Sequence, residues 1–278
     1  MTGGWRSRCG DGLAFEGGRW GRGSAAAARA RATARGSGVV SLEGTWRLRP
    51  SLARSHVASP RRGCDASVLL DATPFSPSEK DVEPNASLTG YTVIDDIKSA
   101  LEHDCPATVS CADVIALASR DAVALLRGPT WSVPFGRKDS RFAANPESTK
   151  KGLPSPHNNL GELITMFSRL NLDARDMTAL SGAHTVGMAN CMHYSDRVYG
   201  ADRDEEIDTL HKPCSSRARV LLTLYGGGGL HDNLVEMYGA NGEAFTRDFA
   251  KAMVKMGNVP PPMGMPVEVR LKCSMANY

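Results

Sequence analysis

The first 62 residues of this chain do not read as a domain, and the remaining 216 do. Residues 1–62 carry twelve arginines, no lysine, three acidic residues and eleven glycines, a net charge of +9. Trp5, Trp20 and Trp46 are scattered, Ala25 to Arg35 is an Ala/Arg tract, and no apolar period of 3.6 or 2 persists. Such a segment reads as a disordered extension. It contains no apolar run of about 7–15 residues, the core a secretory signal needs. Its arginines fit a transit peptide, but its glycines argue against an amphipathic helix. True RGG repeats, which would favour an RNA-binding tail, are missing.

The rest of the chain has the opposite charge. Of 33 basic and 30 acidic residues in the whole chain, 21 and 27 fall after Arg62, a net of −6. The overall +3 therefore describes neither part and gives no sign of a nucleic-acid partner. A chain of 278 residues buries about 70–75% of its unfolded surface, enough for a core without help from metals or disulfides. No run of about 18 apolar residues occurs, so no spanning helix is expected.

From Gly63 the pattern is helical and strand signals are few, so the expected fold is mostly α. Val93, Ile94, Ile97 and Leu101 share one face. Ser110 and Asp113 resemble a capping box opening a helix through Leu125, with Gly128-Pro129 as its stop. Leu160, Leu163, Ile164, Phe167 and Leu170 mark a third helix. Asp173 caps a short fourth, ending near Ser181-Gly182. Phe245, Phe249, Met253 and Met256 mark a last one, halted by Pro260-Pro261-Pro262. Long loops are expected around Arg141–Asn159 and Ala201–Gly229. The four glycines Gly226–Gly229 form a flexible joint.

Seven cysteines occur: Cys9, Cys64, Cys105, Cys111, Cys191, Cys214 and Cys273. No CxxC pair is present, which argues against a zinc ribbon or a thioredoxin motif. Well-spread cysteines point to disulfides and an oxidising compartment, although spacing alone gives no pairing; reduced, buried thiols are the alternative. Of the seven histidines, none forms a local metal-binding pair. His184 differs from the others in its setting. It follows Ser181, Gly182 and Ala183, small residues that would let a flat cofactor approach the backbone.

Leu180-Ser181-Gly182-Ala183-His184-Thr185-Val186-Gly187 resembles the proximal haem-ligand motif of the secretory plant (class III) haem peroxidases. Further stretches agree in the family's order: Gly63 to Asp71, Val93-Ile94-Asp95, Cys105-Pro106 through Val109 to Asp113, Val133 to Asp139, Leu153-Pro154, and Lys255 to Cys273 at its two ends. Several ordered motifs outweigh any one of them. The resemblance implies an incomplete plant haem peroxidase fold over residues 63–278. It implies an extracellular, monomeric enzyme responding to oxidative stress, whose partners are hydrogen peroxide and a small aromatic donor.

The residue assignments that follow are what the resemblance implies. His184 would be the axial ligand of haem b iron. Gly63, Asp65, Ser67 and Glu79 correspond to the distal calcium site, and Thr185 to the proximal one; oxygen donors in a tight turn suit calcium. Pro154 corresponds to the entrance for aromatic donors. Cys111 would pair with Cys273, and Cys191 with Cys214. Asn85 corresponds to the Asn that orients the distal His, yet Asn85-Ala86-Ser87 is also a glycosylation sequon. Asp113 and Arg137 would form a buried ion pair; the alternative for Asp113 is a helix cap on a solvated turn.

The departures fall on the catalytic machinery. Directly before Gly63 the family carries Arg-x-x-Phe-His-Asp-Cys, whose His takes a proton from peroxide and whose Arg stabilises the leaving hydroxide. Here Val57 and Ala53 fill those two slots, so neither catalytic residue is retained. Arg54 and His56 are one residue out of register, about 100° around a helix, and Pro60 would interrupt that helix. Ser215 to Leu222 and the glycine joint replace the proximal calcium loop and the Asp that accepts a hydrogen bond from the proximal His; Asp232 is not in its register. The alternative expectation is therefore a catalytically inactive peroxidase-like remnant or scaffold. The abrupt start at Gly63 also suggests a differently joined first exon.

Overall fold

The computed structural model describes residues 31–32, 42–43, 64–83, 85–185 and 230–278. Within residues 1–62, that leaves only β1 (Arg31–Ala32) and β2 (Leu42–Glu43), which pair antiparallel. The chain divides into two compact units. One is Met1–Leu153 with Gly257–Tyr278, and the other is Pro154–Met256. Seven α-helices and three 3₁₀ turns among the described residues make the fold mostly α, as the periodicity predicts.

In the first unit, α1 (Tyr91–Asp104) turns Ile94, Ile97 and Leu101 into the core, with Val93 packed at its edge. That face meets α2 (Cys111–Leu125), whose Val114, Ile115, Ala118 and Ala122 complete the cluster. The capping box expected for α2 is only half made. Ser110 Oγ accepts the Asp113 N–H at 3.1 Å, but the Asp113 carboxylate turns away to Arg137 and supplies no reciprocal bond to the cap.

The end of α2 also differs from the expectation that Gly128 stops it. The left-handed residue is Arg127, at φ 66°. Arg127 and Gly128 donate backbone N–H bonds to Ala124 and Val123 at 3.0 and 2.9 Å, a Schellman closure. Gly128 is needed for space instead, because a Cβ there would lie 2.6 Å from Val123 Cγ1.

β3 (Asp139–Ser140) pairs antiparallel with β4 (Val267–Glu268) and returns the C-terminal segment to the core. The Cys111–Cys273 disulfide, with Cα atoms 5.6 Å apart, ties the start of α2 to that segment. This is the pair the resemblance implies. Cys105 is also disulfide-bonded. The stretch expected as a loop over Arg141–Asn159 contains a helix, α3 (Pro146–Gly152). Asn145 caps it, accepting the Glu147 N–H at 2.9 Å, and Pro146 at the first position costs no hydrogen bond.

In the second unit, α4 (Leu160–Ser168) and α5 (Ala174–Ser181) each open on a complete capping box, Asn159 with Glu162 and Asp173 with Asp176. Leu163, Met177 and Val235 form the buried centre of this unit, with Leu160 and Phe167 against it. Val235 belongs to α6 (Leu230–Ala240), a helix that the periodicity did not flag. Asn241 follows, and α7 (Gly242–Gly257) buries Ala244, Phe249, Ala252 and Met253 before the proline run ends it. The expected loop over Ala201–Gly229, with its glycine joint, lies outside the described residues.

Candidate functional site

α5 positions His184. Its first turn is fixed by the Asp173–Asp176 box, and Lys255 Nζ reaches Asp176 Oδ2 at 2.6 Å. The helix then tightens into the 3₁₀ turn Gly182–Thr185, which carries His184. The imidazole is exposed, and its Nδ1 lies 3.1 Å from the Ser181 carbonyl oxygen. A carbonyl can only accept, so Nδ1 carries the proton. In the neutral ring, Nε2 is then the nitrogen with a lone pair. A ligating histidine usually has this arrangement, with one ring N–H donated and the other nitrogen offered to the metal.

The small residues before His184 do not all serve a cofactor. At Gly182 a Cβ would run into the Phe245 ring of α7, so this glycine is required by a protein contact. Pro154, assigned by resemblance to the donor entrance, is exposed.

Asp65, Ser67 and Glu79 are buried in the first unit. Asp65 Oδ1 accepts the Ser67 N–H at 3.1 Å. Glu79 Oε1 accepts the Ala144 N–H at 2.6 Å, so its carboxylate fastens a distant backbone segment. Gly63 lies outside the described residues. Thr185 closes the turn that bears His184, and its side chain is not among those described. Among the described residues, no group of three or more His, Cys, Asp or Glu side chains could hold a metal ion.

Asn85 is 4% exposed, and its Nδ2 donates to the Glu79 carbonyl at 2.9 Å. That inward use of the amide leaves a glycan no attachment point in the folded chain. Arg137 Nη1 meets Asp113 Oδ1 at 3.0 Å with both side chains largely buried, so Asp113 does not sit on a solvated turn. Arg137 also donates to the carbonyls of Gly257 and Pro134. Arg54, His56, Ala53, Val57, Cys191 and Cys214 all lie outside the described residues.

Two buried polar clusters were not singled out from sequence. Asp139 Oδ1 accepts the Ala112 N–H at 2.8 Å, and its Oδ2 accepts those of Cys111 at 3.0 Å and Arg270 at 2.9 Å. In the second unit, Asp248 Oδ2 accepts from Arg175 Nη1 at 2.9 Å and from the Tyr238 hydroxyl at 3.0 Å. Burial and this carboxylate push the Tyr238 hydroxyl up to about 12. Asp139 and Arg270 stand inside quoted motifs, but nothing in their spacing marks them as a pair.

The peroxidase family model matches residues 30–236, beginning inside the segment that lacks recognisable motifs. Peroxidase 2 of Oryza sativa subsp. japonica is 39% identical over 267 residues, covering 83% of each chain. Peroxidase P7 of Brassica rapa subsp. rapa is 38% identical over 251 residues, covering 77% of this chain and 84% of its own. A lignin-forming anionic peroxidase of Nicotiana sylvestris is 37% identical over 266 residues, covering 83% and 82%.

Proposed function

This chain belongs to the peroxidase family, and on that footing we propose that it is a haem peroxidase of the plant secretory class. It would use hydrogen peroxide to oxidise phenolic or other small donors outside the cell. The observation that carries the proposal is the placement of His184 on an exposed turn directly after α5, with its Nδ1 3.1 Å from the Ser181 carbonyl oxygen. Haem held there would supply the electrons that reduce peroxide and the oxidising power that acts on donors. The protein's part is to hold the ligand ring through α5 and to admit donors past Pro154. Residues 63–278 make up the peroxidase domain in this reading. Asp65, Ser67 and Glu79, with Gly63, belong to a distal calcium site and Thr185 to a proximal one, each needing further oxygen donors. Cys191 and Cys214 form a second disulfide.

A second reading is favoured by the register before Gly63: counted back against the family's motif, it puts Val57 and Ala53 at the slots of the proton acceptor and of the cation that stabilises the leaving hydroxide. Losing a general base typically lowers rate by about 10²–10⁴-fold. Losing an electrostatic stabiliser lowers it by about 10²–10³-fold. The two act together, so the factors do not multiply. The chain would then be a haem-binding or purely structural remnant.

Haem titration of the full chain beside His184→Ala separates these readings. A Soret band in the wild type that weakens in the variant supports the haem protein, and no band in either removes it. Guaiacol oxidation on the haem-loaded chain then separates enzyme from remnant; turnover no faster than free haem leaves only the remnant.

A further inference from the structure

We propose that Tyr238 is a redox-active residue: when haem in this unit has been oxidised by peroxide and no donor is at hand, Tyr238 gives it one electron and passes its phenolic proton to Asp248. The inference rests on the haem reading above and adds a second oxidisable group to the same unit of the chain.

The arrangement joins three helices. Tyr238 on α6 donates its hydroxyl to Asp248 Oδ2 on α7 at 3.0 Å. Arg175 on α5 donates Nη1 to the same oxygen at 2.9 Å. Tyr238 and Asp248 are both buried, so bulk water does not compete for the hydroxyl. Burial and the Asp248 carboxylate keep that hydroxyl protonated at neutral pH. Burial works to raise the Asp248 carboxyl, but the bonds from Arg175 and Tyr238 hold it below the ordinary carboxylate range. It is therefore an ionised acceptor.

A phenol that loses one electron becomes strongly acidic, so its oxidation depends on where the proton can go. Here the proton moves along a hydrogen bond that already exists. The O–H bond of Tyr238 breaks, an O–H bond forms on Asp248 Oδ2, and the oxidised haem is reduced by one electron. A neutral phenoxyl is left. Arg175 loses its countercharge, but its side chain is 52% exposed and water solvates it. A donor restores the site with one electron. The proton then returns from Asp248 to Tyr238, and the donor's own proton goes to water.

The position in the unit suits this role. The Phe245 ring lies against Gly182, two residues before His184, and the Tyr238 ring meets Phe245 edge-on with centroids 5.6 Å apart. One aromatic ring thus stands between Tyr238 and the turn that carries His184. Tyr91 and Tyr278, the other tyrosines among the described residues, belong to the other unit. The Tyr91 hydroxyl is buried without a hydrogen-bond partner, and Lys80 Nζ sits over its ring, 4.6 Å from the centroid. Its proton has no acceptor, and the cation on its face opposes loss of an electron.

The test mixes the haem-loaded full chain with a stoichiometric amount of hydrogen peroxide, without donor, and freezes it for electron paramagnetic resonance. A phenoxyl signal should appear, and it should narrow in a chain made with ring-deuterated tyrosine. Tyr238→Phe keeps the ring against Phe245 and should lose the signal while retaining its Soret band. Tyr91→Phe should change nothing. Asp248→Asn should lower the yield about ten- to a hundredfold, as expected for one hydrogen bond to a charged group, and Asp248→Glu should restore part of it. In deuterated water the wild-type signal should grow more slowly, a readout that needs no substitution.

A full-strength signal in Tyr238→Phe would overturn the inference, as would growth unaffected by deuterated water. A wild-type chain that binds haem and gives no phenoxyl signal would overturn it and leave haem binding intact. No Soret band in the wild type would overturn both.

Discussion

Asp139 and Arg270 are both fully enclosed, and the Arg270 backbone N–H lies 2.9 Å from the same Asp139 oxygen that its Nε approaches at 3.9 Å. Burial pushes the carboxyl up and pulls the guanidinium down, each against the attraction of the other. Desolvation therefore dominates the pair. Its value lies in the three backbone N–H groups that Asp139 gathers from α2 and the C-terminal segment. Asp139→Asn leaves Arg270 buried without its countercharge and should cost about 3–5 kcal/mol. Urea unfolding checks this, and a loss below about 1 kcal/mol would show that the cluster relaxes.

His231 gives the second unit a dependence on pH. It is 5% exposed, and its Nδ1 lies 3.2 Å from Thr178 Oγ1, which itself donates to the Ala174 carbonyl at 2.8 Å. Burial holds its pKa below the ordinary 6.5, with Asp232 working the other way. The unfolded chain then binds the proton more readily than the folded one. The contribution is complete above the ordinary value and is lost as pH falls towards the folded one. Unfolding free energy measured between about pH 8 and pH 5 should decline in the wild type and decline less in His231→Leu. Identical slopes would assign the acid sensitivity elsewhere.

Arg127 occupies a left-handed position that costs a non-glycine residue about 1–2 kcal/mol. Arg127→Gly should raise stability by about 0.5–1 kcal/mol once the entropy of the new glycine is deducted. The midpoint in urea should rise with no change in slope. A fall would mean that the Arg127 side chain makes a contact worth more than its backbone strain.

At Gly182 the added methyl of Gly182→Ala meets the Phe245 ring and should cost about 1–3 kcal/mol through overpacking. Phe245→Leu in the same chain should return part of that loss. If the first variant also weakens haem binding and the second restores it, the contact orients His184 as well as stabilising α5. A Gly182→Ala chain as stable as the wild type would contradict the packing.

The helices were legible wherever an apolar face repeats, as Ile94, Ile97 and Leu101 do on α1. α3 was hidden because its signal is the cap Asn145-Pro146, not a hydrophobic stripe. α6 was hidden behind the glycines that precede it, although Leu234, Val235 and Tyr238 are buried. His184 stood out through its neighbours, but the reason for Gly182 did not, since Phe245 is 63 residues away along the chain. Asp139 could not be found from spacing, because its three donors come from segments 28, 27 and 131 residues distant. Periodicity reports what one element buries. A buried charge reports which elements meet, and only the folded chain contains that.

The second unit, Pro154–Met256, is an uninterrupted stretch of chain, whereas the first is completed only by Gly257–Tyr278. A ribosome therefore delivers every residue of the second unit while the first still lacks its closing strand and Cys273. At about 5–20 residues per second, the 162 residues from Cys111 to Cys273 leave α2 waiting about 8–32 seconds with Cys111 unpaired after it has been synthesised. During that interval Cys111 can react with any other thiol or oxidant it meets. Faithful pairing in the living cell thus depends on the last few residues translated, and termination after Met256 but before Cys273 would release a chain whose second unit is whole and whose first can never be locked.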